Sequence, residues 1–387
     1  MRIALVQFYS STPTPVYAEL SRVLCALGHT VLLGTPESSG TMAWSDGDRI
    51  VARQRGPSRP SGVFRSIGPL GALYRRVAYL LYILRVRKYI RSLAPDIAQV
   101  NKTTNALVIP ILMPRTICFV YDVRQLGLWG GEDEAGRRRN RRALRRIRFA
   151  SRWVYDRACF GSAAAAEAAL GPAWARWASV APIGVDRSFL DWTWKSDAQR
   201  SGVEPVRFIY VGTLARKRNI EVLLEAAVLL HGRTRDFSLT LRGPGEDAPY
   251  YAEMVESLGL SGFVLVLPPV PYRQVPETVA GHDVALAYVP EVLDWQYQPT
   301  LKVLEYRALG MPIVASDNPP NRLVVEEGRN GVLVKNTPEF LAAAMERFIK
   351  ERVLLERCSG GARGMREGMS WEEVAGVYLR EVYVQKH

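Results

Sequence analysis

Two stretches combine residue types that can hold a diphosphate. In Phe208-Ile209-Tyr210-Val211-Gly212-Thr213-Leu214-Ala215-Arg216-Lys217-Arg218-Asn219, an apolar run meets a glycine, then three cations, then Asn219, which suits a helix N-cap. A glycine lets backbone N–H groups approach a ligand, and a helix N-terminus beside Arg and Lys attracts phosphate. An ordinary solvated basic loop would look the same. The second stretch is Gln298-Pro299-Thr300-Leu301-Lys302-Val303-Leu304-Glu305-Tyr306-Arg307-Ala308-Leu309-Gly310-Met311-Pro312. Thr300 is placed to cap a helix that Gly310 and Pro312 end. Lys302 then sits in the first turn, where the helix dipole disfavours a cation unless an anion is also present. Glu305 lies one turn deeper on the same face. Together they suit a cation for phosphates and a carboxylate for ribose hydroxyls. A surface ion pair three residues apart is the plainer alternative.

Such residues need strand ends and helix starts to present them. Apolar runs predict strands at Ile3–Phe8, Val31–Leu33, Ile97–Val100, Ile117–Tyr121, Phe208–Val211, Leu239–Leu241, Val264–Leu267, Val284–Ala287, Ile313–Ala315 and Val332–Val334. Helical patterns alternate with them, among them Tyr17–Leu27, Ile220–Leu230, Leu301–Leu309 and Phe340–Lys350. This alternation predicts parallel sheets with right-handed crossovers, and in such sheets ligands gather beyond the carboxyl ends of the strands. At 387 residues two domains are expected. The reading is 1–187, 188–370, and a final helix over 371–387 that opens on the capping box Ser370-Trp371-Glu372-Glu373.

Several chemistries find no support. The four histidines and four cysteines are scattered, with no metal-ligand or CxxC spacing, so no metal and no cofactor are expected. Arg242-Gly243-Pro244-Gly245 lacks the third glycine of a dinucleotide fingerprint. Asp46-Gly47-Asp48 imitates a metal-binding D-x-D but reads better as a turn. No apolar run is long enough to span a bilayer, and the first residues do not form a signal peptide. The expectation is a cytoplasmic chain.

The second half resembles the family 4 retaining glycosyltransferases. The resemblance is carried by Tyr210-Val211-Gly212-Thr213-Leu214 with Arg218, by Leu241-Arg242-Gly243-Pro244-Gly245, and by His282-Asp283-Val284-Ala285-Leu286-Ala287-Tyr288-Val289-Pro290. It continues through Pro299–Ala315 and Glu326-Glu327-Gly328-Arg329-Asn330-Gly331-Val332-Leu333-Val334. It implies the GT-B fold: α/β, with two facing Rossmann-like doubly wound domains and a cleft between them. It also implies transfer of a sugar, retaining its anomeric configuration and without metal, from a nucleotide diphosphate donor, with a UDP-sugar favoured. The sugar would be of hexosyl or N-acetylhexosaminyl type. By the same resemblance, Arg218 and Lys302 meet the donor phosphates and Glu305 binds ribose. Gly212, Thr213, Lys217 and Gly243 complete the donor side, and Asp122 stands at the catalytic side of the first domain. The chain departs from the family at Tyr297, where an acid is usual, at Thr213, where an arginine is, and at Asp122, where a histidine is. A catalytically inactive binding subunit and a nucleotide-sugar epimerase are the alternatives. Asp122 also has a structural reading, as a partner for Arg124.

The charge is lopsided. The net is +13, yet residues 1–187 carry 28 basic and 12 acidic residues, a net of +16, against −3 in the remainder. From Arg49 to Pro95 there are eleven basic residues and no acid, among them Arg75, Arg76, Arg85, Arg87 and Lys88. Leu73, Tyr74, Val77, Leu80, Leu81, Ile83 and Leu84 interleave with them, as in a helix able to lie in a membrane interface. Arg137–Arg148 adds eight arginines in twelve residues. An anionic membrane surface presenting a glycan or lipid-linked acceptor is the expected partner, with the enzyme peripheral on the inner face of the membrane. Nucleic acid is set aside, because no binding motif accompanies the charge.

Overall fold

The structure, a computed structural model, describes residues 1–8, 15–36, 42–46, 49–54, 68–101, 106–128, 133–192, 204–297, 300–366 and 369–384. The chain divides into two compact units. The first comprises Met1–Gly184 with Trp371–His387, and the second Val185–Ser370.

The first unit holds β1 (Arg2–Val6), α1 (Pro15–Ala26), β2 (Thr30–Pro36), β3 (Met42–Asp46), β4 (Arg49–Gln54), α2 (Gly68–Leu93), β5 (Ile97–Asn101), β6 (Cys118–Val123), α3 (Glu134–Phe149), β7 (Arg157–Phe160), α4 (Ala163–Leu170) and β8 (Ala178–Val180). Its sheet runs β4-β3-β2-β1-β5-β6-β7-β8. All pairings are parallel except the β2–β3–β4 meander. The strands Met42–Asp46, Arg49–Gln54 and Arg157–Phe160 lie outside the apolar runs read from the sequence. The first two form an edge hairpin in which Asp46 and Arg49 pair across the turn. Gly47 and Asp48 lie outside the described residues.

The second unit holds α5 (Arg187–Leu190), β9 (Val206–Val211), α6 (Glu221–His231), β10 (Phe237–Arg242), α7 (Ala248–Ser257), β11 (Val264–Leu267), α8 (Val275–Ala280), β12 (Val284–Ala287), α9 (Leu301–Leu309), β13 (Ile313–Ser316), α10 (Pro319–Arg322), β14 (Gly331–Val334), α11 (Pro338–Lys350) and α12 (Arg352–Gly364). Its parallel sheet runs β11-β10-β9-β12-β13-β14, the doubly wound order whose switch point falls between β9 and β12. Alternate residues of β9 feed two cores. Phe208 and Tyr210 pack with α6 and α11, whereas Ile209 packs with Val303, Tyr306 and Leu309 of α9. Burial on both faces accounts for the unbroken apolar runs by which these strands were read.

The final helix, α13 (Trp371–Val377), begins directly after Ser370 and belongs to the first unit. It packs on α1. Beyond it, the Tyr383 hydroxyl donates to Gln99 Oε1 at 2.6 Å and Ser179 Oγ donates to the carbonyl of Glu381 at 2.8 Å.

The basic helix α2 is amphipathic with a particular orientation. Tyr82, Ile83, Val86 and Ile90 are buried, while Val77, Leu80, Leu81 and Leu84 are exposed. Part of the interleaved apolar set therefore packs inward and part faces solvent. Arg85 and Lys88 are exposed and Arg87 partly so. The side chains of Leu73, Tyr74, Arg75 and Arg76 lie outside the described residues. No described helix is long and apolar enough to cross a membrane.

Candidate active site

The switch point of the second sheet brings together Gly212, Gly243 and Lys302, three of the residues expected from the sequence to meet a diphosphate. β9 ends at Val211, whose backbone N–H donates to the hydroxyl of Tyr306 on α9 at 3.0 Å. Gly212 then donates to the carbonyl of Arg242 at 3.0 Å, and Leu214 to that of Pro244 at 2.8 Å. The turns after β9 and β10 thus lie against each other. A Cβ on Gly243 would stand 1.9 Å from the oxygen of Gly212, and one on Gly245 would stand 1.9 Å from that of Leu214. Both positions require glycine because backbone occupies the space.

Gly212 is constrained from another side. A Cβ there would meet the Tyr210 hydroxyl at 2.9 Å and Lys302 Nζ at 3.1 Å. Lys302 reaches this point from the first turn of α9. Its ammonium lies 3.8 Å from the centroid of the Tyr210 ring and donates to the carbonyl of Tyr288 at 3.3 Å. Burial lowers its pKa to about 7, the nearby Arg218 pushes the same way, and Glu305 opposes them. The cation is held by a ring face and a carbonyl dipole, which suits a site whose missing charge arrives with the ligand.

Glu305 is buried and accepts a hydrogen bond from the Tyr272 hydroxyl at 2.6 Å. Burial raises its pKa to about 7, against the hydrogen bond from Tyr272 and the charge of Lys302, and with help from Asp186. The surface ion pair that the sequence left open is not its environment.

Arg218 closes a 3-10 turn, Arg216–Arg218, and its guanidinium stacks 4.3 Å from the Trp295 ring centroid. Its Nε is buried with no hydrogen-bond partner. Thr213 and Lys217 are exposed. Asn219 corrects an expectation. It does not cap α6, which is entered through Ile220 without a side-chain cap. Instead it adopts the left-handed conformation at φ 48° that ends the 3-10 turn, and its amide donates to the Tyr288 hydroxyl at 3.4 Å. Asparagine tolerates that conformation better than most residues, and the helix starts one residue later than expected, at Glu221. Thr300 occupies the cap position of α9 in extended geometry, but its hydroxyl makes no capping bond and is buried without a partner.

Asp122 belongs to the first unit, at the end of β6. Its side chain is wholly buried and accepts from Arg124 Nε at 3.0 Å. Arg124 also donates to the carbonyl of Ala181 at 2.8 Å and stands 5.7 Å from the Tyr378 ring centroid. The pairing with Arg124 is therefore present. The second carboxylate oxygen of Asp122 is buried without a hydrogen bond.

Tyr272, Tyr288 and Trp295 were not singled out from the sequence. Each meets its charged partner through tertiary packing, and no local spacing announces it.

Two Rossmann-like units, the second with glycine turns at its switch point, give the chain the fold of GT-B glycosyltransferases. Residues 195–365, the second unit but for its first and last few residues, match the model for glycosyl transferases group 1. Among curated proteins, the alpha-D-kanosaminyltransferase of Streptomyces kanamyceticus is 28% identical over 179 residues, 45% of this chain and 44% of that one. The match thus spans less than half the length of that relative. Among solved structures, the sucrose-phosphate synthase of Thermosynechococcus elongatus covers 99% of both chains at 17% identity and a TM-score of 0.69. Anabaena HepE, solved in complex with UDP and glucose, covers 99% of both at 17% identity and a TM-score of 0.65.

Proposed function

We propose that the chain is a retaining, metal-independent glycosyltransferase that moves a hexosyl or N-acetylhexosaminyl group from a UDP-sugar to a glycan or lipid-linked acceptor. The first unit would work at an anionic membrane surface on the cytoplasmic side. The observation that carries the donor half is Lys302: a partly buried ammonium between Gly212, the Tyr210 ring and the Tyr288 carbonyl. Such a cation gains most from a multiply charged anion. Complexes of a structural neighbour with UDP favour the uridine nucleotide.

In this reading Lys302 and Arg218 take the donor diphosphate, helped by backbone N–H groups at the glycine turns. Glu305, steadied by Tyr272, accepts from the ribose hydroxyls. The bond between the sugar's anomeric carbon and the leaving phosphate oxygen breaks, and the acceptor oxygen forms its bond to that carbon on the same face. The acceptor proton passes to the departing diphosphate, whose charge the two cations offset. Asp122 acts as a positioning residue within the first unit, holding Arg124 and the end of β6.

The test is thermal unfolding of the chain with UDP, GDP, ADP, CMP and dTDP, repeated on Lys302→Ala. Ligand at about 100 times its dissociation constant adds about 2.7 kcal/mol, a shift of several degrees. UDP should shift the wild type and fail on the variant. No shift with any nucleotide would overturn the reading. With UDP-glucose or UDP-N-acetylglucosamine as donor, an inverted anomeric centre in the product would overturn retention.

A further inference from the structure

We infer that the first unit docks on anionic phospholipid through an apolar rim built from three segments that feed neighbouring strands; this rests on the membrane part of the proposed function and names its contact surface. α2 leads into β5, the turn at Pro110–Pro114 into β6, and the end of α3 into β7. β5, β6 and β7 are adjacent in the sheet, so strand spacing brings these three entries together at the amino ends of the strands. Backbone bonds between neighbouring entries agree: Cys118 donates to Asp96 at 2.9 Å, and Asp156 to Phe119 at 3.1 Å. The β4–β5, β5–β6 and β6–β7 steps run in one direction across the sheet, and the right-handed rule places their connections on one face.

Each segment exposes large apolar side chains at this rim. α2 offers Leu84, one helical turn from the Arg87 that meets the Pro110–Pro114 turn; that turn offers Ile111 and Leu112; the last segment offers Phe149 and Trp153. Leu112 is 87% exposed and Trp153 77%. Leu112 also holds a left-handed backbone at φ 57°, a conformation that costs an L residue free energy. The Arg87 guanidinium donates to the Ile111 carbonyl, which ties the turn to α2. Large apolar side chains exposed on three neighbouring segments mark a contact surface.

The surrounding charge selects the occupant. Lys88, Arg91, Arg115, Arg145 and Arg146 are all exposed around these side chains. Cations flanking aliphatic and tryptophan side chains match the boundary between lipid headgroups and acyl chains.

The experiment is flotation of the full chain with vesicles of phosphatidylglycerol and phosphatidylcholine, and with phosphatidylcholine alone. The wild type should float with the anionic vesicles. A Leu112→Ser, Trp153→Ser variant should bind them roughly tenfold or more weakly. It should keep the wild-type far-ultraviolet circular dichroism and unfolding of the first unit, which show that unit folded, and its UDP-induced thermal shift, which separates this test from that of donor binding. Failure of the wild type to float, or equal binding by the variant, would overturn the proposal. A solution dimer that the same two substitutions dissolve would overturn it too, by assigning the rim to a second copy.

Discussion

The ammonium of Lys302 faces the ring of Tyr210 at 3.8 Å and donates a hydrogen bond to the backbone carbonyl of Tyr288. A partly buried lysine held this way is stabilised less than one paired with a carboxylate, and its pKa falls accordingly. Replacing it with methionine should remove that burden. Because the folded pKa is lowered to about 7, the lysine's favourable contribution is full above its unfolded value and is lost as pH falls through 7. Lys302→Met should therefore raise the unfolding midpoint most at pH 6 and progressively less towards pH 10. A variant less stable than wild type at pH 6 would contradict this.

The same residue sets the pH dependence of ligand binding. With free Lys302 titrating near 7, diphosphate binding takes up a proton at higher pH. The dissociation constant for UDP should rise between pH 7 and 9, by at most about tenfold per unit, and the slope should flatten in Lys302→Met. Calorimetry in two buffers of different ionisation enthalpy would read the proton directly.

Glu305 titrates in the opposite sense. Its folded pKa is raised to about 7, so its contribution to stability is present at low pH and is lost as pH rises from the ordinary carboxylate range through 7. Glu305→Gln should lessen the decline in stability of the unliganded chain between pH 5 and 7. It should also narrow the preference for UDP over its 2′,3′-dideoxy analogue, because the ribose would lose a charged acceptor. An unchanged preference would remove Glu305 from the ribose.

Gly243→Ala tests the contact between the two turns. Its added methyl would stand 1.9 Å from the Gly212 oxygen, so the loop that carries Gly212 must move. A loss of about 1–3 kcal/mol should accompany loss of the UDP shift. Gly262→Ala, where a Cβ meets open space, should leave that shift unchanged.

In the first unit, Asp122→Ala strands the Arg124 guanidinium in a buried setting. Breaking a buried pair costs about 3–5 kcal/mol, so the first unit should unfold earlier on heating, while UDP should still protect the second. Asp122→Asn, which keeps an acceptor for Arg124, should lose less. If both variants unfold as wild type does, the pair is not structural.

The inner strands of the second sheet were legible because burial on both faces demands unbroken apolar residues, as in Val284–Ala287 and Ile313–Ala315. Met42–Asp46 and Arg49–Gln54 escaped because an edge hairpin takes polar side chains such as Ser45, Arg49 and Arg53 without loss. Gly212, Lys302 and Glu305 were readable because strand ends and helix turns fix their spacing. The partners Tyr272 and Trp295 were not, since they arrive from separate turns. In α2 the apolar period was visible, but it does not say which leucines face the sheet and which face solvent.

The return of Trp371–Tyr383 to the first sheet makes the second unit an insertion within the first. During synthesis, Val185–Ser370 emerges whole and can close on its own core. The earlier sheet must wait, with Gln99 lacking its Tyr383 partner and α1 lacking α13, until Trp371–Tyr383 has left the ribosome. The domain begun first is the one finished last.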